Sequence, residues 1–397
     1  MARVYTRRKA AGHRNLRPDA PSASLPQDQS AATSPPALAR SIAPLAPRNA
    51  TFEPSGFAES PGWCILRSMR ATVLGAGSWG TALAILLARN GHEVALYGHD
   101  PEHIDTLRAL RENLRYLPGF AIPEAVTPVT LGDDLPPCDL WVVAVPSHAV
   151  RAVVHQVVGE NPLVVLASKG LEVGTGELVS AVCRQELPHA RVGALSGPNL
   201  AIEIVRGVPT AAVAASHDES AAEAIRSAFM CRTYRVYLSD DVVGVELAGA
   251  LKNVLAIGAG MADGLGFGDN TKGALLARGL HEMTLLGLAM GGRVETFMGV
   301  AGVGDLFATA VSRLSRNYRV GRALGEGRTL RQALDEIAQV AEGVDTSECV
   351  ARLARQRQIP MPVFEAIEAV LRGRLTPDQA VAALMERTPK REGFLQA

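Results

Sequence analysis

A single lysine in an otherwise apolar helix is the residue best placed to do chemistry. Residues 242–261 read as a helix in which Val245, Ala248, Gly249, Lys252, Ala256 and Ala259 share one face, while Leu247, Leu251, Val254 and Gly258 lie roughly opposite. Both faces are apolar or small, so the helix is expected to be buried and central. Burying an ammonium is costly unless it is paired, and desolvation lowers its pKa towards the range useful for acid–base work. Ala248 and Gly249 leave space for a ligand beside it. Two plainer readings compete: a lysine that snorkels to the surface, or one that pairs with Glu246.

Other polar groups gather on either side. Asp305 lies in the turn Val303-Gly304-Asp305-Leu306, where an acid commonly just caps the next helix. Ser315-Arg316-Asn317 offers a hydroxyl, a guanidinium and an amide at a helix start, a set suited to a phosphate or carboxylate. Lys169 follows the apolar run 163–167 in Ser168-Lys169-Gly170, at a strand's carboxyl end. Glu342, in Gln339-Val340-Ala341-Glu342-Gly343, reads as a surface acid at a helix end, and His148 and His281 as packing or surface residues.

The element that must position these groups begins at Gly75-Ala76-Gly77-Ser78-Trp79-Gly80. It joins a short apolar strand, 71–74, to a helix over 81–88, and a second strand, 93–97, follows at the expected distance. The first two glycines permit a tight turn and close approach of a pyrophosphate. The third permits close packing of helix on strand, and the helix start favours the anion. A dinucleotide site is therefore expected on Gly75, Gly77 and Gly80. Further apolar strands at 140–145, 163–167, 192–195, 211–214 and 234–237 alternate with helices, which indicates a largely parallel, doubly wound α/β sheet. Ligands bind outside the carboxyl ends of such strands, where Pro146-Ser147-His148, Lys169 and Gly197 fall. Beyond Asp240 the strand signal stops, and helices are expected at 242–261, 271–290, 294–297, 317–325, 330–339, 346–356, 363–371 and 376–384. The expected division is a Rossmann domain over 69–240 and an all-helical one over 241–395.

Residues 1–68 are rich in Ala, Pro, Ser and Arg without a sustained apolar period. They are expected to be a disordered or spurious extension ahead of Met69, in preference to a transit peptide. The remainder of the 397 residues suffices for two sizeable cores. Forty basic residues balance forty acidic ones, so nothing global suggests a nucleic-acid partner. No uninterrupted apolar stretch approaches the ~20 residues that span a bilayer. The five scattered cysteines imply neither a zinc site nor a disulfide framework, and fit a reduced, cytoplasmic setting.

Taken together, these motifs resemble the bacterial-type NAD(P)-dependent glycerol-3-phosphate dehydrogenases, over residues 70–394. The matching stretches are Gly75 to Thr81, Pro146-Ser147-His148, Ser168 to Leu171, Ser196-Gly197-Pro198, Ala250 to Val254, Gly302 to Leu306, Ser315-Arg316-Asn317 and Glu342-Gly343. The resemblance implies reversible hydride transfer between NAD(P)H and dihydroxyacetone phosphate, giving sn-glycerol 3-phosphate for phospholipid synthesis, with Lys252 as general acid or base. Lys169, Asp305, Ser315, Arg316 and Asn317 would surround the substrate, with Gly197 and Asn199 contributing from their loop. Cofactor contacts map onto Ser78, Trp79, His99, Lys169, Ala201, Arg316, Val340 and Glu342. Asn199 stands where the family more often has a small hydroxyl residue. Tyr97-Gly98-His99-Asp100 places no clear repelling carboxylate at the ribose, so NADP should be accepted alongside NAD. A homodimer is expected, with no metal, nucleic acid or membrane as partner. A 6-phosphogluconate or β-hydroxyacid type of dehydrogenase and a non-catalytic NAD(P)-sensing module are the rival readings.

Overall fold

A computed structural model describes residues 68–130, 137–337, 339–389 and 393. Apart from Ser68, the extension expected over 1–68 lies outside the described residues, as do 390–392 and 394–395 of the expected helical segment.

The seven apolar runs form the expected sheet, and an eighth strand without such a run, Val126–Thr130, joins its edge. Its strands are β1 (Arg70–Leu74), β2 (Glu93–Gly98), β5 (Val126–Thr130), β6 (Leu140–Val143), β7 (Leu163–Leu166), β8 (Arg191–Ser196), β9 (Thr210–Ala215) and β10 (Tyr234–Ser239), in the spatial order β10-β9-β8-β7-β6-β1-β2-β5. A small hairpin, β3 (Glu112–Asn113) with β4 (Leu117–Ala121), stands apart. Neighbours run parallel except β8 and β9, which are antiparallel. Leu74 is level with Tyr97 and Val143, and Val143 with Leu166. This register brings the chain exits of four strands to one edge, so Gly75, His99, Val145 and Lys169 emerge side by side.

Helices α1 (Ser78–Arg89), α2 (Pro101–Leu110), α3 (Val150–Val154), α4 (Val179–Glu186), α5 (Ala201–Val205) and α6 (Glu219–Phe229) alternate with the strands. The helical part follows as α7 (Val242–Gly264), α8 (Asp269–Ala289), α9 (Val294–Met298), α10 (Asp305–Val311), α11 (Arg316–Gly325), α12 (Leu330–Ile337), α13 (Glu342–Gln356), α14 (Pro362–Leu371) and α15 (Pro377–Met385). The fold is thus an N-terminal Rossmann-like sheet followed by a helical C-terminal part. Three departures from expectation matter for the site. A π-turn over Val300–Gly304 leads into α10, α11 begins at Arg316, and α13 begins at Glu342.

Helix α7 is the core of the helical part, buried from Val245 to Ala262. By length and composition alone it could cross a membrane, but Glu246, Lys252 and Asn253 interrupt its apolar run, and 94% of its most apolar window is buried inside the protein. Its closest neighbour is α11. A Cβ on Gly321 would lie 1.9 Å from Ile257 O, and one on Gly260 2.1 Å from Tyr318 O, so the two backbones can touch only because both residues are glycine. That contact carries the start of α11 to the middle of α7. On the far side Glu282 of α8 accepts from Val363 N and Phe364 N at 3.0 and 3.2 Å, capping α14 from another helix, and burial pushes its carboxyl up to about 7.

Candidate active site

A cleft of about 690 Å³ runs along the sheet's carboxyl edge and ends against α7, α10 and α11. At one end is the glycine turn. Gly75 has φ +119°, and a Cβ there would meet Ala144 O at 2.7 Å. Gly80 lies behind the turn, where a Cβ would sit 1.8 Å from Gly75 O, so it permits the packing of α1 on β1 and does not line the cleft. Gly77 faces open space and is the N-cap of α1 with no side-chain cap, leaving the first-turn N–H groups for an anion. The residues present therefore suit a pyrophosphate. Trp79 lines the same wall, its indole donating to Ala167 O at 3.0 Å.

At the other end two lysines share one carboxylate. Lys252 Nζ donates to Asp305 Oδ1 at 2.6 Å and to Thr309 Oγ1 at 2.7 Å, while Lys169 Nζ donates to Asp305 Oδ2 at 2.8 Å and to Gly197 O at 2.7 Å. Asp305 is only 1% exposed and stands behind both ammonium groups. Lys252, 6% exposed, lines the cleft. Burial pulls its pKa down to about 8; Asp305 opposes that fall, and Lys169 and Arg316 add to it. The lysine neither snorkels nor pairs with Glu246. That acid turns to α4, where it accepts from Ser180 N at 2.9 Å, and burial pushes its carboxyl up to about 7.

The start of α11 supplies the third group. Ser315 is its N-cap, accepting from Tyr318 N at 3.2 Å. Arg316 lines the cleft, and its guanidinium forms no hydrogen bond or ion pair among the described residues. Burial lowers its pKa, and Glu342 opposes this. Asn317 Nδ2 donates to Asn253 Oδ1 at 2.9 Å, and Asn253 Nδ2 donates to Lys169 O at 3.1 Å. Asn317 Oδ1 accepts from Gly343 N at 3.0 Å. One amide relay thus ties the β7 loop, α7, α11 and α13 together.

Glu342 is not the surface acid its local sequence suggests. It accepts from Ser147 N at 3.0 Å and Ser147 Oγ at 2.7 Å, joining α13 to the end of β6. Burial pushes its carboxyl up, and the hydrogen bonds from Ser147 oppose the shift. Gly170 is required below the pair, since a Cβ there would lie 2.5 Å from Ser147 Oγ.

Of the residues expected at the site, Gly75, Gly77, Ser78, Trp79, His99, Lys169, Asn199, Ala201, Lys252, Ser315, Arg316, Asn317, Val340 and Glu342 all line this cleft. Gly80, Gly197 and Asp305 stand just behind it. Sequence reasoning assigns no role to Thr309, Asn253, Arg115 or Tyr116, all of which line the cleft. Thr309 sits one helical turn after Asp305, a spacing informative only once α10 is known.

Glycine turn, open helix start and buried lysine define the class: an NAD(P)-dependent oxidoreductase built on a Rossmann-like sheet. Two family models match the chain, NAD-dependent glycerol-3-phosphate dehydrogenase N-terminus over residues 70–222 and the corresponding C-terminus over 241–382. The glycerol-3-phosphate dehydrogenase [NAD(P)+] of Desulfitobacterium hafniense is 47% identical over 81% of this chain and 93% of its own length. That of a Thermoanaerobacter species is 45% identical over 82% and 99%. The crystal structure of the Coxiella burnetii enzyme superposes with a TM-score of 0.78 at 38% identity, covering 81% of this chain and 99% of that one. D-mandelate dehydrogenase, at 11% identity and a TM-score of 0.54, shares the fold. The chain belongs to the NAD-dependent glycerol-3-phosphate dehydrogenase family.

Proposed function

We propose that the chain interconverts dihydroxyacetone phosphate and sn-glycerol 3-phosphate, the latter serving phospholipid synthesis as the family implies. The observation that carries this reading is a buried Lys252 opening on the same cleft as the glycine turn and Arg316, which is unpaired among the described residues. The relatives favour it over a β-hydroxyacid dehydrogenase or a sensing module.

In this reading Arg316 and Asn317 hold the phosphate, while Lys169, Ser315 and Asn199 line the remainder of the substrate site. Lys252 Nζ then lies against the oxygen on the reacting carbon. It donates a proton there in reduction and removes one in oxidation, and its positive charge stabilises the developing alkoxide. Asp305 and Thr309 fix the ammonium's direction, and Gly197 O does the same for Lys169. A bound dinucleotide would supply the hydride as NAD(P)H in reduction and accept it as NAD(P)+ in oxidation. Gly75, Gly77, Ser78 and Trp79 would hold its pyrophosphate, His99 its ribose, and Ala201, Val340 and Glu342 its remaining length. Asp100, next to His99 in the chain, caps α2 through His103 N at 3.3 Å and pairs with Arg115 at 3.3 Å. That pairing supports use of NADP as well as NAD.

We further propose a homodimer and a cytoplasmic location, which light scattering and cell fractionation test. Consumption of NADPH on addition of dihydroxyacetone phosphate tests the reaction itself. Absence of turnover with any phosphorylated triose would contradict it.

A further inference from the structure

Tyr234 is the first residue of β10, is 1% exposed and has no contact with the cleft of its own. Its hydroxyl donates to Asn199 Oδ1 at 2.9 Å. A carboxamide can present either its oxygen or its nitrogen to a neighbour, and a phenol that donates selects the oxygen. Burial raises the phenol's pKa, so the hydroxyl stays protonated and able to donate. Asn199 Nδ2 is left buried without a hydrogen-bond partner, in a residue that lines the cleft.

An orphaned buried donor is destabilising by itself, which is the pattern expected where a ligand completes the bonding. The surrounding loop is fixed as well. Thr210 Oγ1, level with Tyr234 in the sheet, donates to Pro198 O at 2.8 Å. Gly197 O receives Lys169 Nζ, which shares Asp305 with Lys252, so the loop belongs to the catalytic end of the cleft.

We propose that Tyr234 is a positioning residue that aims the Asn199 amide N–H groups at a neutral oxygen of the bound triose, its terminal hydroxyl. This rests on the proposed reaction. The phosphate is claimed by the cationic Arg316, whereas a neutral amide donor suits an uncharged oxygen. Without the phenol the amide is free to turn its oxygen inward, and the site loses its donor while keeping its shape.

The test is a double-mutant cycle on purified full-length protein, reading KM for dihydroxyacetone phosphate, kcat and the NADPH dissociation constant. Tyr234→Phe removes one oxygen atom and should raise KM roughly fivefold, with NADPH affinity within about twofold. Asn199→Ala should raise KM similarly. In an Asn199→Ser background, which has no amide to aim, Tyr234→Phe should change KM less than about twofold. The proposal is overturned if Tyr234→Phe leaves KM unchanged, if its effect persists undiminished in the Asn199→Ser background, or if the loss appears in NADPH affinity. A parent chain that fails to turn over the triose at all would instead refute the proposed reaction.

Discussion

Lys252 and Asp305 face one another at 2.6 Å inside the protein, and the same carboxylate holds Lys169 through its second oxygen at 2.8 Å. One negative charge thus serves two ammonium groups. That imbalance, together with burial, sets the lysine's acidity.

The pH dependence follows with opposite signs for the two directions. Lys252 titrates at about 8. In reduction it must carry its proton, so the rate should fall as pH rises through about 8. In oxidation it must be neutral, so that rate should rise over the same interval. Initial rates in both directions from pH 6 to 10 check this, and parallel limbs would count against Lys252.

Asp305→Asn removes the shared counter-charge. The lysine's pKa should drop further, moving the falling limb of the reductive profile to lower pH by roughly one unit or more. Breaking a buried pair should also reduce stability by about 3–5 kcal/mol, measurable by denaturant titration.

Arg316→Ala should raise KM for the triose phosphate at least a hundredfold, because a charge-assisted contact to a dianion is lost from a buried site. NADPH affinity should fall far less. Equal loss of both affinities in titrations would show that Arg316 serves the dinucleotide as much as the phosphate.

The glycines of the turn separate folding from binding. Gly80→Ala drives a methyl into Gly75 O and should lower the melting temperature sharply. Gly77→Ala meets only open space, so it should fold normally yet bind NAD(P)H at least tenfold more weakly, its methyl occupying the ligand's place. Comparing thermal melts with binding titrations tells the two apart.

Much of this was legible beforehand, for physical reasons. The apolar faces of α7 left Lys252 conspicuous, and the glycine spacing carried its own steric logic. The local pattern around Glu342 suggests a surface acid because a carboxylate at a helix end usually faces water; only the fold shows Ser147 waiting across the gap. Thr309 was hidden because α10 is short, with no apolar period to announce it. The pairing of Tyr234 with Asn199 joins a strand to a distant loop, which local pattern cannot encode.

The central claim is that Lys252 moves the proton. The most direct measurement is kcat for NADPH-dependent reduction of dihydroxyacetone phosphate by Lys252→Ala, alongside a titration of NADPH binding. The account predicts a fall of at least roughly a hundredfold in kcat with NADPH affinity nearly intact. Turnover close to that of the parent chain would contradict it.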